Sequence, residues 1–439
     1  MTVLALFTRD LRLEDNALLN PNETIIPAFI VDSNLTHTHE NEFVQSFMVD
    51  SLNDLDKALQ KHHTHLAIAH GTFASALTSL VLQHKPLIVR MARDITPYAK
   101  KREQLAAQIC AKENIELELI DNHWLLPFEK TIKANGEPYT VFTPFFKHAS
   151  LLDIPEPHTP EELTFAKLKS SKIPEAEKNS GKTQSGGRTA ALKILNNLND
   201  YESYEHERDF PALNRTTHLS AHLHWGSVSV REVHAAVSTR LSPHHPLIRQ
   251  LWWREFFSSI ALHFPHVWQH NYKRGYDALQ WQNNEDFLRA WQEGKTGFPI
   301  VDAAMRCLNE TGNMHNRLRM IVASFLVKDL HINWREGEKY FAQKLVDYDK
   351  AINNGNWQWA AGTGADAAPY FRVFNPWLQQ AKFDGNAAFI KNWVPELART
   401  ETKIIHDPRA IRPNYPEPVV DHAQAKEVAL AMFAQALRK

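Results

Sequence analysis

Ala351-Ile-Asn-Asn-Gly-Asn-Trp-Gln-Trp-Ala-Ala-Gly-Thr-Gly-Ala-Asp-Ala-Ala-Pro-Tyr-Phe-Arg372 is the stretch of the chain densest in amide, aromatic and glycine residues, and its reading decides that of the whole second half. If Asn353 to Trp359 are helical, Asn353 and Trp357 stand four apart and share a face. Trp357 and Trp359 are two apart, so at 3.6 residues per turn they point roughly 200° from each other. One tryptophan then faces a bound ring system while its neighbour serves a different surface. Standing alone, the same residues would read as two core tryptophans beside a glycine-rich turn. Gly362-Thr-Gly364 is not a dinucleotide fingerprint, for it lacks the third glycine and the preceding strand.

Working outward, His315-Asn-Arg-Leu-Arg-Met320 puts Asn316, Arg319 and Met320 at spacings of three and four, a polar and cationic stripe inside an otherwise apolar helix. Arginines so placed take an anionic partner, either a carboxylate such as Asp347 or Asp349 or a ligand phosphate. Gln250, Trp253 and Arg254 share a helical face in the same way, offering an amide, a stacking surface and a cationic fork. Segments Pro246–Phe264, Gly297–Leu308, Asn316–Leu330 and Pro369–Phe374 carry helical or dense aromatic patterns with little strand-like alternation, so everything from Arg188 to Lys439 is expected to be an all-α domain.

The first part of the chain reads differently. Short apolar runs at Val3–Phe7, Ile25–Val31, Leu66–Ala69, Leu87–Met91 and Leu117–Ile120 alternate with polar-faced segments Asn41–Gln60, Phe73–His84 and Pro97–Glu113. That pattern predicts an α/β domain with a mainly parallel sheet over residues 1–130. Residues 131–187, rich in Pro, Lys, Ser and Glu, are expected to be a surface connection between the domains.

Composition bounds what such a chain does. With 439 residues and 43% hydrophobic content it is long enough for more than one core. It has no apolar run of about eighteen residues and no signal-peptide layout, so a soluble protein of the cytoplasm with no membrane association is expected. The 2 cysteines, Cys110 and Cys307, form no framework for a disulfide or a thiolate metal site. The 24 histidines contain no zinc motif, and no metal is expected. A net charge of -1 excludes a protein that coats nucleic acid through its whole-molecule field, so any DNA binding must come from a local patch.

Gly297-Phe-Pro-Ile-Val-Asp-Ala-Ala-Met305, Met314–Met320, Ser324-Phe-Leu-Val-Lys-Asp-Leu330, Trp334-Arg-Glu-Gly337 and Asn353–Pro376 resemble the flavin domain of the photolyase and cryptochrome family, closest to its microbial cyclobutane-dimer photolyases. The opening Phe7-Thr-Arg-Asp-Leu-Arg-Leu-Glu-Asp-Asn16 resembles the family's start, and the similarity runs over nearly the whole chain. The resemblance implies an antenna domain, a linker, and a helical domain holding FAD in a folded shape beneath a substrate cavity. It also implies light-driven electron transfer from the reduced cofactor to a cyclobutane pyrimidine dimer flipped out of UV-damaged DNA.

By match, Tyr204 and Thr216-Thr217-His218-Leu219-Ser220 would contact the FAD phosphates and ribityl chain. Arg319, Asp347 and Asp349 would hold the flavin ring and the adenosine side, and Asn353 would face flavin N5. Trp253 and Trp359 would form the aromatic wall of the lesion pocket, with Asn316 and Met320 touching its bases and Gln250 beside them. Arg208, Arg254, Arg317 and Arg372 would meet DNA phosphates. Trp357, Trp334 and Trp281 match the family's electron-carrying tryptophan chain. The protein is expected to act as a monomer.

Several positions depart from the family pattern. Gln250 stands where dimer-repairing relatives typically have Glu, Asn313 replaces an expected Trp, and Gly362 replaces a common Ser. Arg93-Asp-Ile-Thr-Pro-Tyr98 lacks the Asn-Glu pair of the best-known folate-binding relatives, which leaves a folate, a deazaflavin, another flavin or no second chromophore open. Two alternatives accompany the repair reading. A blue-light cryptochrome is disfavoured by Asn353 and by the absence of a long tail after Lys439. A (6-4) photolyase is favoured by Gln250 alone and opposed by Asn316, which interrupts that site's paired histidines.

Overall fold

The structure, a computed structural model, describes residues 1–38, 41–159, 162–175 and 184–438. Strands β1 (Thr2–Phe7), β2 (Thr24–Asp32), β3 (Ala67–Gly71), β4 (Ile88–Ala92) and β5 (Glu116–Ile120) form a sheet in the order β3-β2-β1-β4-β5, and β6 (Thr164–Phe165) adds to β2. Every pairing is parallel. A parallel sheet needs cover on both faces, which is why β1 and β4 are apolar and buried almost throughout rather than alternating.

The covering helices Glu42–Gln60, Phe73–His84 and Pro97–Lys112 start where side chains supply the missing acceptors. Asn41, Thr72 and Thr96 each accept a backbone N–H from the first turn, and Pro97 sits where a helix needs no donor. The opening motif knots the exit of β1. Asp10 accepts from the Thr8 backbone at 2.7 Å and from Asn122 Nδ2 at 3.1 Å, while the buried Arg12 donates to the Asp15 carbonyl at 2.7 Å.

From Arg188 onward the ordered elements are helices, as the sequence pattern predicts. One core gathers Trp291, Trp334, Phe341 and Trp357, and a second gathers Trp252, Phe256, Phe142 and Phe145. Gly337 allows the first core to close, since a Cβ there would lie 2.1 Å from Cη2 of Trp357.

Two segments differ from expectation. The Pro369–Phe374 stretch is a turn, closed by the Arg372 N–H on the Pro369 carbonyl at 2.8 Å, and the next helix, Pro376–Phe383, begins only at the following proline. Residues 131–187 do more than cross the surface. They supply β6 to the sheet and the helix Phe142–Ala149, whose phenylalanines enter the second core. Residues 160–161 and 176–183 of that connection lie outside the described residues.

The two halves meet at the carboxyl edge of the sheet. Arg9, just after β1, donates to the His224 carbonyl at 3.1 Å and to Asp94 at 3.2 Å, and also binds Asp349. Gly226 lets the backbones touch, because a Cβ there would stand 2.1 Å from the Arg9 carbonyl oxygen.

Candidate cofactor and substrate cavity

A cavity of about 1230 Å³ opens in the helical half. Ordinary small-molecule pockets occupy roughly 300–1,000 Å³, so this one suits a large ligand. Its floor is the helix Lys350–Ala361, capped by Asp349, whose Oδ1 accepts from the Ala351 and Ile352 N–H groups at 3.1 and 3.2 Å. Because that turn is pinned, Asn353 and Trp357 rise from one face into the cavity.

Asn353 is nearly buried, and its Nδ2 donates to the Glu338 carbonyl at 3.2 Å. That bond uses an amide hydrogen and leaves the side-chain carbonyl oxygen to accept from a ligand. Trp357 is 2% exposed, packs edge-on to Phe341 at 5.0 Å, and keeps its buried Nε1 hydrogen without a partner. Trp334 lies in the same core with its Nε1 on Asn271 at 2.9 Å, and the half-buried Trp281 packs on the outside of that core.

Polar walls surround the floor. Tyr204, Arg208, Thr216, Thr217, His218, Leu219 and Ser220 all line the cavity. The short helix Leu219–Trp225 follows His218, which has a positive φ of 55° and makes no side-chain cap, while Thr217 Oγ1 accepts from the Leu219 N–H at 3.4 Å. Arg319 grips both oxygens of Asp347 at 3.0 and 2.9 Å. Burial pushes the Asp347 carboxyl up, but Arg319 and the Ser220 hydroxyl bring it net below its ordinary value. Asp349 behaves likewise: burial opposes its charge, and Arg9 together with His224 holds it well below the usual carboxylate range.

Gln250, Trp253, Trp359, Asn316 and Met320 also line the cavity. The Trp253 ring lies flat on Phe142 at 3.6 Å and 6°, the tightest aromatic stack on this wall. Phe142 was not anticipated, because it falls in the segment read as a connection. The signal available was Phe142, Phe145 and Phe146 at helical spacings of three and four.

The four arginines expected at DNA phosphates separate. Arg372 is exposed. Arg317 is 18% exposed, paired with Asp209 at 2.8 Å and lying 4.3 Å over the Phe383 ring, while Arg208 lies 5.5 Å over Tyr204. Arg254 is 11% exposed, bound to Glu255 at 2.7 Å, and lines the cavity. Burial pushes the carboxyl of Glu255 up to about 7.

The donor set can be matched to FAD. A folded dinucleotide needs flat apolar walls for two ring systems, cations and hydroxyls for a pyrophosphate, and partners for its hydroxyls and ring amides. Trp357, Phe341, Phe257 and Trp393 supply the walls, and Arg208, Arg254, Arg319, Thr216 and Thr217 the anion contacts. Around the same space, Gln184 Oε1, His222 Nδ1, His315 Nε2 and Trp357 Nε1 are buried without hydrogen-bond partners. Buried polar atoms are normally paired, so these residues fit a bound polar cofactor. Among the described residues, no group of three or more His, Cys, Asp or Glu is arranged to hold a metal ion. No helix among them is long and apolar enough to cross a membrane.

Fold and cavity together define a protein built to enclose a large, aromatic, anionic cofactor beneath an aromatic-walled opening. Comparison with known proteins gives the family. Residues 3–161 match the model described as DNA photolyase, and residues 247–435 match the FAD binding domain of DNA photolyase. The chain belongs to the DNA photolyase family. A deoxyribodipyrimidine photo-lyase of Escherichia coli is 37% identical, with 100% of this chain and 99% of that protein covered. An archaeal photolyase structure from Sulfolobus tokodaii, described with two FAD molecules, superposes with a TM-score of 0.89 at 38% identity over 99% of this chain and 100% of that one. A bacterial class III photolyase from Agrobacterium tumefaciens gives a TM-score of 0.88 at 34% identity over 100% and 98%.

Proposed function

We propose that this protein is a deoxyribodipyrimidine photolyase, which uses light to split cyclobutane pyrimidine dimers in DNA. The observation that carries this reading is the single cavity joining Asn353 and Trp357 on its floor to Trp253, Trp359, Asn316 and Met320 at its side. When bound there, reduced FAD supplies the light-excited electron that opens the cyclobutane ring.

The chain's own residues bind, orient and insulate. Thr216, Thr217, His218, Ser220, Tyr204 and Arg319 take the cofactor's phosphate and sugar groups, with Asp347 and Asp349 ordering that side. Arg254 joins them in this reading, on account of its burial. Asn353 presents a neutral carbonyl oxygen to the flavin's central ring, which accepts a hydrogen bond without opposing negative charge. Trp253 and Trp359 stack on the flipped-out bases while Asn316, Met320 and Gln250 touch their edges. Flipping costs a few kcal/mol and is cheapest where the duplex is already distorted, which selects damage. Arg208, Arg317 and Arg372 provide the phosphate contacts, a local patch that agrees with a near-neutral chain. Trp357, Trp334 and Trp281 would carry electrons from an external reductant at the surface toward the cofactor.

The division into an α/β domain over 1–130, a connection over 131–187 and a helical domain over 188–439 belongs to the same reading. Five successive strands end at Ile120, and the connection then returns β6 to the same sheet. A working monomer belongs to the same reading. Cys110 and Cys307 are free thiols pushed by burial to about 11, in keeping with the cytosol. The test is a repair assay under blue light with reductant, run in parallel on oligonucleotides carrying a thymine dimer and a (6-4) lesion. Light-dependent loss of the dimer is expected; repair of the (6-4) lesion alone, or dimer loss in the dark, would overturn the reading.

A further inference from the structure

We propose that Gln184 closes one corner of the cavity and accepts a hydrogen bond from a sugar hydroxyl of the bound dinucleotide, a role that rests on the FAD reading above. Gln184 precedes the helix Arg188–Asn196 at the end of the interdomain connection, and it lines the cavity. Its Nε2 stands 2.9 Å from His218 Nδ1 and 2.7 Å from Asn313 Oδ1.

The neighbouring bonds fix which way those two contacts run. Asn313 Nδ2 donates to the Thr311 carbonyl at 3.1 Å, so its Oδ1 is an acceptor. His218 Nε2 lies 2.9 Å from Asn214 Oδ1, which makes Nε2 the protonated nitrogen and Nδ1 the acceptor in a neutral ring. Burial favours that neutral ring. Both hydrogens of the Gln184 amide are therefore committed, and the amide cannot flip without losing both bonds. Its Oε1 is left buried and without a partner. An unmet buried acceptor costs about 1–3 kcal/mol, which a ligand donor at that corner would recover.

The type of donor follows from the surroundings. A phosphate oxygen carries no hydrogen to give and would be repelled by a carbonyl oxygen. His315 supplies the complement. Its Nδ1 accepts from the Arg317 N–H at 3.2 Å, so its Nε2 holds the hydrogen, and that atom too is buried, cavity-lining and partnerless. An acceptor and a donor on one cavity match a hydroxyl, which gives one hydrogen and accepts another. FAD offers such hydroxyls on its ribityl chain and on its adenosine ribose.

The test measures cofactor release from purified holoprotein, followed after dilution by the fluorescence of free flavin. Gln184→Leu is compared with wild type, each loaded with FAD, with FAD built on 2′,3′-dideoxyadenosine, and with FAD carrying a 2′-deoxyribityl chain. We expect Gln184→Leu to release FAD roughly 5-fold faster, the equivalent of one hydrogen bond. With one of the two analogues, wild type should release as fast as the variant, and that analogue names the hydroxyl. An unchanged release rate would overturn the role of Gln184. So would an equal acceleration with all three cofactors, which a purely structural strap would produce. Should Gln184→Leu misfold, Gln184→Met, which keeps the chain length, is read in the same way. Wild-type protein that neither carries nor takes up FAD would instead sink the function reading itself.

Discussion

Replacing Phe142 by leucine removes the ring on which Trp253 lies while leaving every cavity-lining residue in place. Phe142 is 1% exposed and meets Trp253 face to face at 3.6 Å, with Phe256 edge-on at 5.8 Å. Leucine keeps most of the apolar volume, so the fold should lose only about 1–2 kcal/mol. The aromatic stack itself is worth about 0.5–1.5 kcal/mol beyond area burial. If Trp253 receives the flipped bases, that energy is what holds its plane ready for them. Its loss should weaken binding of a thymine-dimer oligonucleotide by roughly 2- to 10-fold. The assay is a titration of labelled damaged and undamaged duplexes at one salt concentration, with flavin content as a control. Undamaged DNA, held through phosphates, should bind as before. Trp253→Ala should cost more, ~1–3 kcal/mol per base, and adding Phe142→Leu to it should change nothing further. Equal weakening on both duplexes, or additive losses in the double variant, would refute the reasoning.

Trp357→Phe should sharply slow photoreduction of oxidised flavin yet leave repair by pre-reduced protein nearly intact; equal loss of both removes Trp357 from the relay. Lys328 is 1% exposed, with Nζ on the Ala361 carbonyl at 2.9 Å, and burial lowers its pKa from 10.5 to about 7. Between those values the unfolded chain holds a proton that the folded one lacks, so stability rises with pH across that window and is lost as pH falls toward 7. Lys328→Met should therefore raise the unfolding midpoint at neutral pH, by an amount that shrinks as pH approaches the lysine's ordinary value; a pH-independent shift, or a fall, contradicts this. Arg9→Ala leaves buried Asp349 with only His224 and Arg254 to offset its charge, at a cost of about 3–5 kcal/mol. Because Arg9 depresses the Asp349 pKa, the pair stabilises above the carboxylate's ordinary value and is lost as pH falls through the depressed one. Acid unfolding of Arg9→Ala should move to higher pH, and an unchanged midpoint would count against the pairing.

The parallel sheet was legible because its strands are buried on both faces, which writes continuous apolar runs such as Val3–Phe7 into the chain, and because Thr72 and Pro97 mark helix starts by local chemistry alone. The helical spacing of Asn353 and Trp357 likewise carried through to a shared cavity face. Long-range pairings left no such trace. Phe142 reaches Trp253 across more than a hundred residues, and a segment rich in proline and lysine hides the apolar helix Phe142–Ala149 near its start. The pairing of Phe142 with Trp253 needs the whole fold to form, whereas Gln250, Trp253 and Arg254, three and four apart on one helix, line the same cavity as their spacing suggests.

Arg9 shows where local reading stops most clearly. In open parallel sheets, ligands gather at the carboxyl edge of the strands, near the point where strand order reverses. Here β1 and β4 flank that point, and the residues that follow them, Arg9 and Asp94, pair with each other at 3.2 Å. Part of this edge is thus spent on the protein itself. Arg9 crosses to Asp349, and Asp349 caps the helix that raises Asn353 and Trp357. A sheet position that in other folds holds a ligand directly acts here through one carboxylate on the floor of a cavity in the other half of the chain. The α/β half therefore supports the cofactor side whether or not it carries a second chromophore, and it does so through a charge pair that nothing in either local sequence announces.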